Sequence, residues 1–276
     1  MSTTNPTLEV SVLGIGLLGP GLADWATGAP VLADAQPWRQ APTVIPPPAR
    51  LPPTERRRAG AIVKLGFAVA EQALAAAGVD ASSLATVFTS SSADTANCHA
   101  LCEALAQPER IVSPTRFTNS VHNAAAGYWH IAAASRAAST SLAAFDGSFG
   151  AGLLEAAAQV AATGQAVLLV SADLPYPQPL QAARPLPDAF GVALLLGAAG
   201  AASPIARLCL GLVAGEAALS ACTDARLDEL RRAIPAARGL PLLQSLARGD
   251  AHQALVLDYL DGLALRVTVD KAGVAR

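Results

Sequence analysis

The stretch Thr140-Ser-Leu-Ala-Ala-Phe-Asp-Gly-Ser-Phe-Gly150 decides the fold. Residues 140–145 are typical of a strand, Gly147 permits a tight turn, and residues 149–162 show the alanine-rich pattern of a helix. A strand, a tight turn and a helix in succession lift one side chain above the end of a sheet, at a helix N-terminus. Free backbone N–H groups and the helix dipole stabilise negative charge there, so this geometry is suited to exposing a nucleophile.

One interpretation of this stretch is the nucleophile turn of a hydrolase. It contains Asp-Gly-Ser-Phe-Gly, which matches the Gly-x-Ser-x-Gly turn of α/β-hydrolases except that Asp146 replaces the first glycine. The catalytic order of that class would run Ser148, then Asp173 or Asp188, then His252. This interpretation predicts a serine esterase or thioesterase. Against it, the sequence shows no oxyanion loop of the HGGG type.

Outward from this stretch, the spacing of apolar residues predicts alternating strands and helices. Further strands are expected at residues 8–14, 84–89, 167–171 and 191–196. Further helices are expected from about residue 55 to 78 and at residues 95–105, 121–135, 224–234 and 242–247. The pair Asp261-Gly262 between two alternating segments predicts a closing hairpin over residues 255–269. The fold class is therefore α/β.

Composition excludes several classes of protein. The chain has 276 residues, of which 52% are hydrophobic and 14% charged, and this excludes intrinsic disorder. The net charge of -2 argues against a nucleic-acid partner. Residues 189–206 lack charge but contain three glycines and a proline, which favours a buried strand and turn over a membrane span. The first basic residue is Arg39, so no signal peptide is indicated and the cytoplasm is the expected location.

Two short motifs are weak. Gly14-Ile-Gly-Leu-Leu-Gly19 matches a dinucleotide fingerprint, but Pro20-Gly21 follows where a helix should begin. Cys98 and Cys102 lie one helical turn apart without a second pair of ligands, so a closed zinc site is not expected. The sequence therefore predicts neither a cofactor nor a metal.

Several segments occur in an order that resembles the N-terminal half of a β-ketoacyl synthase. They are Val10-Ser-Val-Leu-Gly-Ile-Gly16, Leu51-Pro52-Pro53 with the arginines that follow, and Phe117-Thr-Asn-Ser-Val-His-Asn-Ala-Ala-Ala-Gly-Tyr-Trp129. The last segment is similar to a branch of chain-length-factor-like proteins of aryl polyene and related pigment polyketide pathways. The resemblance implies one domain over residues 1–276 with a thiolase-like layered fold, α/β/α/β/α. Residues 8–200 form its ketosynthase-like N-terminal half, and residues 201–276 form a reduced, trimmed C-terminal part.

The same resemblance implies that this chain is not a ketosynthase itself. The family's nucleophilic cysteine falls on Asp146, and a carboxylate is a poor substitute because it would form a labile anhydride. The family also uses two histidines from its C-terminal half, where this chain has only His252 after His130. A non-catalytic subunit that pairs with an active ketosynthase is the simplest interpretation. Asp146 would then cap the following helix, or would carry residual chemistry.

The resemblance also implies which residues meet the partner. In the family, the strand before the nucleophile turn pairs across a two-fold axis, which here assigns residues 140–145 to the interface. The residues implied for the interface and the partner's acyl tunnel are Arg116, Phe117, His122, Asn123, Tyr128, Trp129 and Phe145. Bulky side chains there would limit product length by filling the tunnel. Ordinary core packing is the alternative role of Phe117, Tyr128 and Trp129, and His122 could be a buried histidine in a helix.

Two further possibilities concern partners. Arg56, Arg57 and Arg58 form the one basic cluster of the sequence, and they could dock an acidic acyl carrier protein or simply be a solvated helix start. A third hypothesis for the whole chain is a homodimeric protein that binds an acyl chain without any catalytic partner.

Overall fold

The structure is a computed structural model that describes residues 7–215 and 217–271. Its strands are β1 Thr7–Leu18, β2 Ala85–Thr89, β3 Ser139–Leu142, β4 Val167–Asp173, β5 Phe190–Ala198, β6 Ala206–Ala214, β7 Gln253–Leu260 and β8 Leu263–Lys271. Its helices are α1 Trp25–Leu32, α2 Pro53–Arg58, α3 Ala61–Ala77, α4 Thr95–Ala106, α5 Pro114–Thr118, α6 Ala124–Ala133, α7 Ser148–Thr163, α8 Leu180–Ala183, α9 Ala225–Ala233 and α10 Leu240–Arg248. Short 3₁₀ turns lie at Phe145–Gly147 and Pro235–Gly239.

The strands form one mixed sheet in the order β3-β2-β4-β5-β1-β6-β8-β7. Strand β2 is parallel to β3 and β4, and the other pairs are antiparallel. The long strand β1 joins the two parts of the sheet, because Val10 pairs with both Ala198 of β5 and Leu208 of β6. Strand β3 is the outermost strand at one end, so one of its sides is not covered by another described strand.

Helices pack on the sheet in layers. Helices α3 and α6 share a core with one face of β4 and β5, and α7, α9 and α10 share a core with the other face. That second core also contains inward-facing residues of β6, β7 and β8, so α7 lies between the two parts of the sheet. The opposite face of β6 and β8 carries polar side chains such as Arg207, Arg266 and Thr268.

The glycines of the Gly14–Gly19 motif serve close packing. Gly14 and Gly16 lie within β1, and a Cβ atom at either position would overlap a carbonyl oxygen of α3, that of Ala73 or Val69. No helix begins directly after this motif, since the next one, α1, starts at Trp25 with Asp24 as its N-cap. The motif thus lets a helix lie directly against β1.

Most predicted elements are present, but some differ in their bounds and others are new. The helix expected from residue 55 is two helices, α2 and α3, separated by Ala59 and Gly60. The helix expected at residues 121–135 is shorter, so His122 precedes α6 rather than lying inside a helix. Strand β6 and the short helices α1, α5 and α8 are additional to the predicted elements. In the described part of the chain, no helix has both the length and the apolar character needed to cross a bilayer.

Candidate functional site

The turn between β3 and α7, residues 143–148, is named the corner here. Strand β3 ends at Leu142, a 3₁₀ turn covers Phe145–Gly147, and α7 begins at Ser148. A Cβ atom on Gly147 would overlap the carbonyl oxygen of Tyr259, near the end of β7. The strand, tight turn and helix predicted from the sequence are thus confirmed, and the turn lies directly against the backbone of β7.

Asp146 is held by two arginines at the corner. One carboxylate oxygen pairs with Nη2 of Arg184, and the other lies 3.1 Å from Nη2 of Arg238. Arg238 also binds Asp258, with 2.6 Å between Nη1 and Oδ2. The N-cap position of α7 is Gly147, and no side chain accepts a hydrogen bond there. The prediction that Asp146 caps the helix is therefore wrong, because its carboxylate is bound by the guanidinium groups instead.

Phe145 is displayed at the surface in a strained backbone conformation. Its φ is 50°, a left-handed value that is unusual for a bulky residue, and its side chain is 62% exposed. The guanidinium carbon of Arg184 lies 3.7 Å from the centre of its ring, which is a cation–π contact. Arg184 thus supports Phe145 and pairs with Asp146 at the same time.

The hydrolase triad is not assembled. Ser148 is completely buried, and its Oγ donates to the carbonyl of Phe145 at 2.7 Å and accepts from the N–H of Ala144 at 3.0 Å. His252 lies at the start of β7, where its Nδ1 is 2.7 Å from Oδ1 of Asp270. A nucleophile must be accessible and within hydrogen-bond reach of its base, so the hydrolase interpretation is wrong.

The two acidic candidates of that triad have structural roles. Asp188 accepts from the backbone N–H of Thr43 at 3.1 Å. Asp173, at the end of β4, accepts from Ser90, Ser91 and the backbone N–H of Ala236. Burial raises the pKa of the Asp173 carboxyl, although its hydrogen bonds to the serines act in the opposite direction. Asp173 therefore ties the loop after β2 to the turn before α10.

The segment from α5 to the start of α6 is a surface region. The side chain of Phe117 is 69% exposed, so the core role considered for it is wrong. Arg116, His122 and Asn123 are also exposed. His122 is neither buried nor helical, because its side chain is exposed and α6 begins two residues later. Its Nε2 atom lies 3.2 Å from the carbonyl oxygen of Ser90. These four residues are available to a partner.

Tyr128 and Trp129 lie in the core. Trp129 is completely buried, with its ring centre 5.1 Å from that of Phe67. The hydroxyl of Tyr128 donates to Oδ1 of Asn119 at 3.1 Å. Both aromatics therefore take the alternative role, packing inside this chain. The bond from Tyr128 helps to position the exposed segment, because Asn119 belongs to it.

The basic cluster lies on α2, next to this segment. Arg56 donates to the carbonyls of Ala49 and Leu51, which fixes the start of the helix. Arg57 and Arg58 are exposed. The amide of Asn119 donates to the carbonyl of Arg58 at 2.8 Å, so α2 and the α5 region, with Arg116, are neighbours on the surface.

An apolar pocket lies beneath the exposed segment. It lies between α3, the end of β2 and the chain before α6, and its lining includes Ile62, Gly66, Phe88, Val121, His122 and Ala125. It is at the carboxyl ends of the parallel strands β2 and β4, where open α/β sheets commonly bind ligands.

Cys98 and Cys102 lie exposed on α4, and the described residues contain no cluster of three or more ligands that could hold a metal ion.

The fold is shared with solved ketosynthase structures. A chain from the structure of a ketosynthase (ApeO) in complex with its chain length factor (ApeC) from Xenorhabdus doucetiae matches with a TM-score of 0.71 and 22% identity, covering 95% of this chain and 99% of that one. A chain of the ishigamide ketosynthase/chain length factor matches with a TM-score of 0.71 and 15% identity, covering 96% and 100%. A Burkholderia phymatum β-ketoacyl synthase matches with 0.68 and 12%, covering 96% and 100%. No protein of curated function matches the sequence.

These likenesses define a thiolase-like fold, as predicted. The sequence itself matches the family described as β-ketoacyl synthase, N-terminal domain, over residues 32–254. That match spans most of the chain, so the protein belongs to the β-ketoacyl synthase family.

Proposed function

We propose that this chain is a non-catalytic, chain-length-factor-like subunit that pairs with an active β-ketoacyl synthase. The pathway proposed is a type II polyketide or fatty-acid-like one of the aryl polyene kind. The observation that carries the proposal is the corner, where a strand, a tight turn and a helix follow one another and Asp146 lies in the turn. By the resemblance, this is the position of the family's nucleophilic cysteine. Two of the structures that share its fold are described as ketosynthase and chain length factor pairs, which supports the same assignment.

The corner is unsuited to acyl transfer. The carboxylate of Asp146 is engaged by Arg184 and Arg238, which lowers its nucleophilicity further. The hydroxyl of Ser148, at the end of the corner, is buried and bonded to the backbone. A ketosynthase needs a thiolate that attacks a thioester and carries the growing chain. Such a group is not offered by the described residues of the corner.

The open side of β3 is the surface proposed for pairing. The carbonyl oxygens of Ala138 and Leu142 accept hydrogen bonds from N–H groups at the two ends of β2. Along a strand, the residues whose backbone groups face the neighbouring strand alternate with residues whose backbone groups face away. By this alternation, Ser139 and Ser141 direct their backbone N–H and C=O groups away from β2. An uncovered strand edge is a template for pairing with another chain. Phe145, three residues beyond β3, adds an exposed aromatic to that surface.

The exposed segment around Phe117 is proposed to meet the partner's acyl tunnel. Phe117 and Val121 are exposed apolar side chains on either side of a turn. An apolar side chain that projects into a tunnel stops a growing chain by steric exclusion. Arg57, Arg58 and Arg116 lie beside this segment and are proposed to attract an acidic acyl carrier protein.

Native mass spectrometry of the tagged chain, purified from its own host, tests the proposal. We expect a second protein of ketosynthase size to co-purify at one to one, because an uncovered strand edge and exposed aromatics favour a stable complex. A chain that appears only as a homodimer would contradict the proposal and favour the acyl-binding hypothesis. A monomer at all concentrations would contradict both.

Truncating Phe117 tests the tunnel assignment. In the reconstituted complex we expect Phe117→Ala to lengthen the main product by at least one two-carbon unit, since it removes the bulk that ends elongation. Product length is read by mass spectrometry. The control is Val44→Ala, which truncates an apolar side chain that is 79% exposed in the proline-rich segment. An unchanged product distribution in Phe117→Ala with the complex intact would show that this residue does not limit the chain.

A further inference from the structure

The carboxylate of Asp146 is partly exposed and is bound by two arginines from other segments of the chain. Arg184 follows α8, and Arg238 lies in the 3₁₀ turn before α10, so the two guanidinium groups converge from separate parts of the fold. Each takes one oxygen of the same carboxylate. Arg184 is also oriented by the rings of Phe145 and Tyr176, at 3.7 and 5.7 Å. The arginines are therefore held in position by contacts other than Asp146.

The charges at the corner balance only when Asp146 is present. Arg238 has a second carboxylate partner, Asp258, and it also donates to the carbonyl of Arg232. Arg184 has Asp146 as its carboxylate among the described ion pairs. Without the Asp146 carboxylate, two arginines would face one acid in a partly buried site at the N-terminus of α7. Guanidinium groups bind carboxylates with matched geometry, and a helix N-terminus adds to the attraction.

We infer that the corner is a carboxylate-binding site whose ligand is built into the chain, namely Asp146. The site is made by the guanidinium groups of Arg184 and Arg238, and it suits a small carboxylate such as acetate or malonate. In the native chain Asp146 occupies it and excludes free carboxylates. This inference rests on the contacts at the corner and does not depend on the proposed function.

The experiment removes the built-in ligand and supplies a free one. We expect Asp146→Ala to lower the Tm of the purified full-length chain by several degrees. Sodium acetate or malonate should restore the Tm saturably at millimolar concentration, whereas sodium chloride of equal ionic strength should not. Isothermal titration should show binding to Asp146→Ala at least about tenfold tighter than to Asp146→Ala/Arg184→Gln, because one of the two charge-assisted bonds is lost. The native chain should show no saturable effect.

Two further variants keep the test decisive. Asp146→Asn retains the shape of the side chain but not its charge, so it should lose stability without gaining a site, because the amide still fills the space. Asp34→Ala is the matched control, since it frees Arg248 from an exposed ion pair away from the corner. Carboxylate-specific recovery in Asp34→Ala equal to that in Asp146→Ala would overturn the inference. Saturable carboxylate binding by the native chain, or none by Asp146→Ala, would overturn it as well.

Discussion

Replacing Gly147 by alanine is expected to destabilise the protein by on the order of 3–5 kcal/mol, which is enough to unfold many domains. The added Cβ would overlap the backbone carbonyl oxygen of Tyr259, and a backbone atom cannot rotate away as a flexible side chain can. Relief requires the start of α7 to move away from β7. That movement would also separate Asp146 from Arg238, which bridges the two elements through Asp258.

The matched control is Gly127→Ala, in the middle of α6. A Cβ atom there meets nothing within 4 Å, so the substitution should be neutral or stabilise by up to about 1 kcal/mol through helix propensity. Chemical denaturation with circular dichroism compares the two variants. Equal stability of Gly147→Ala and the native chain would show that the corner and β7 are not in the close contact described.

Placing proline at Ser141 is expected to abolish association with the ketosynthase partner, weakening it by at least about a hundredfold. Ser141 lies on the edge strand β3 and directs its N–H away from β2, so the native pairing within the chain is retained. Proline removes that N–H and puts a ring where the partner's backbone would approach. Proline is tolerated on edge strands, which keeps the chain itself folded.

Ser141→Ala is the control, because it removes only the hydroxyl and keeps the backbone donor. Co-purification with the partner and analytical ultracentrifugation measure the association, and circular dichroism checks the fold. Retained association in Ser141→Pro would place the interface elsewhere on the surface. A folded Ser141→Pro that no longer binds, next to a binding Ser141→Ala, assigns the contact to the backbone of β3.

The corner could be predicted from the sequence because all its parts are local. A change from a strand pattern to a helical one across Asp146 and Gly147 identifies a turn at the end of a sheet whatever the rest of the chain does. The arginines that bind Asp146 could not be predicted in this way. Arg184 and Arg238 are 38 and 92 positions away and stand in segments with no motif, so only the fold brings them to the carboxylate.

The difference between local pattern and contacts made by the fold also explains why the roles of Ser148, Tyr128 and Trp129 could not be predicted. Ser148 matches a nucleophile motif, yet burial is a property of the packed corner that the motif does not contain. Tyr128 and Trp129 are apolar on a helix, and the sequence alone does not say which face of that helix meets the core. Strand β6 is a different case, because its own sequence alternates: Leu208 and Leu210 are buried, and Arg207 is exposed. This period of two is a local signal for a strand, which the predictions from the sequence did not include.

Strand β1 has a consequence for how the protein is made. It leaves the ribosome before its partners β5 and β6, which are encoded about 190 residues later. At roughly 5–20 residues per second, synthesis of that stretch takes on the order of 10–40 s. During this time β1 has no strand to pair with among the described residues, although α3, which packs against it, has already been made. Assembly of the sheet around β1 must therefore wait until β5 and β6 have been synthesised, and until then the nascent chain exposes an apolar strand edge.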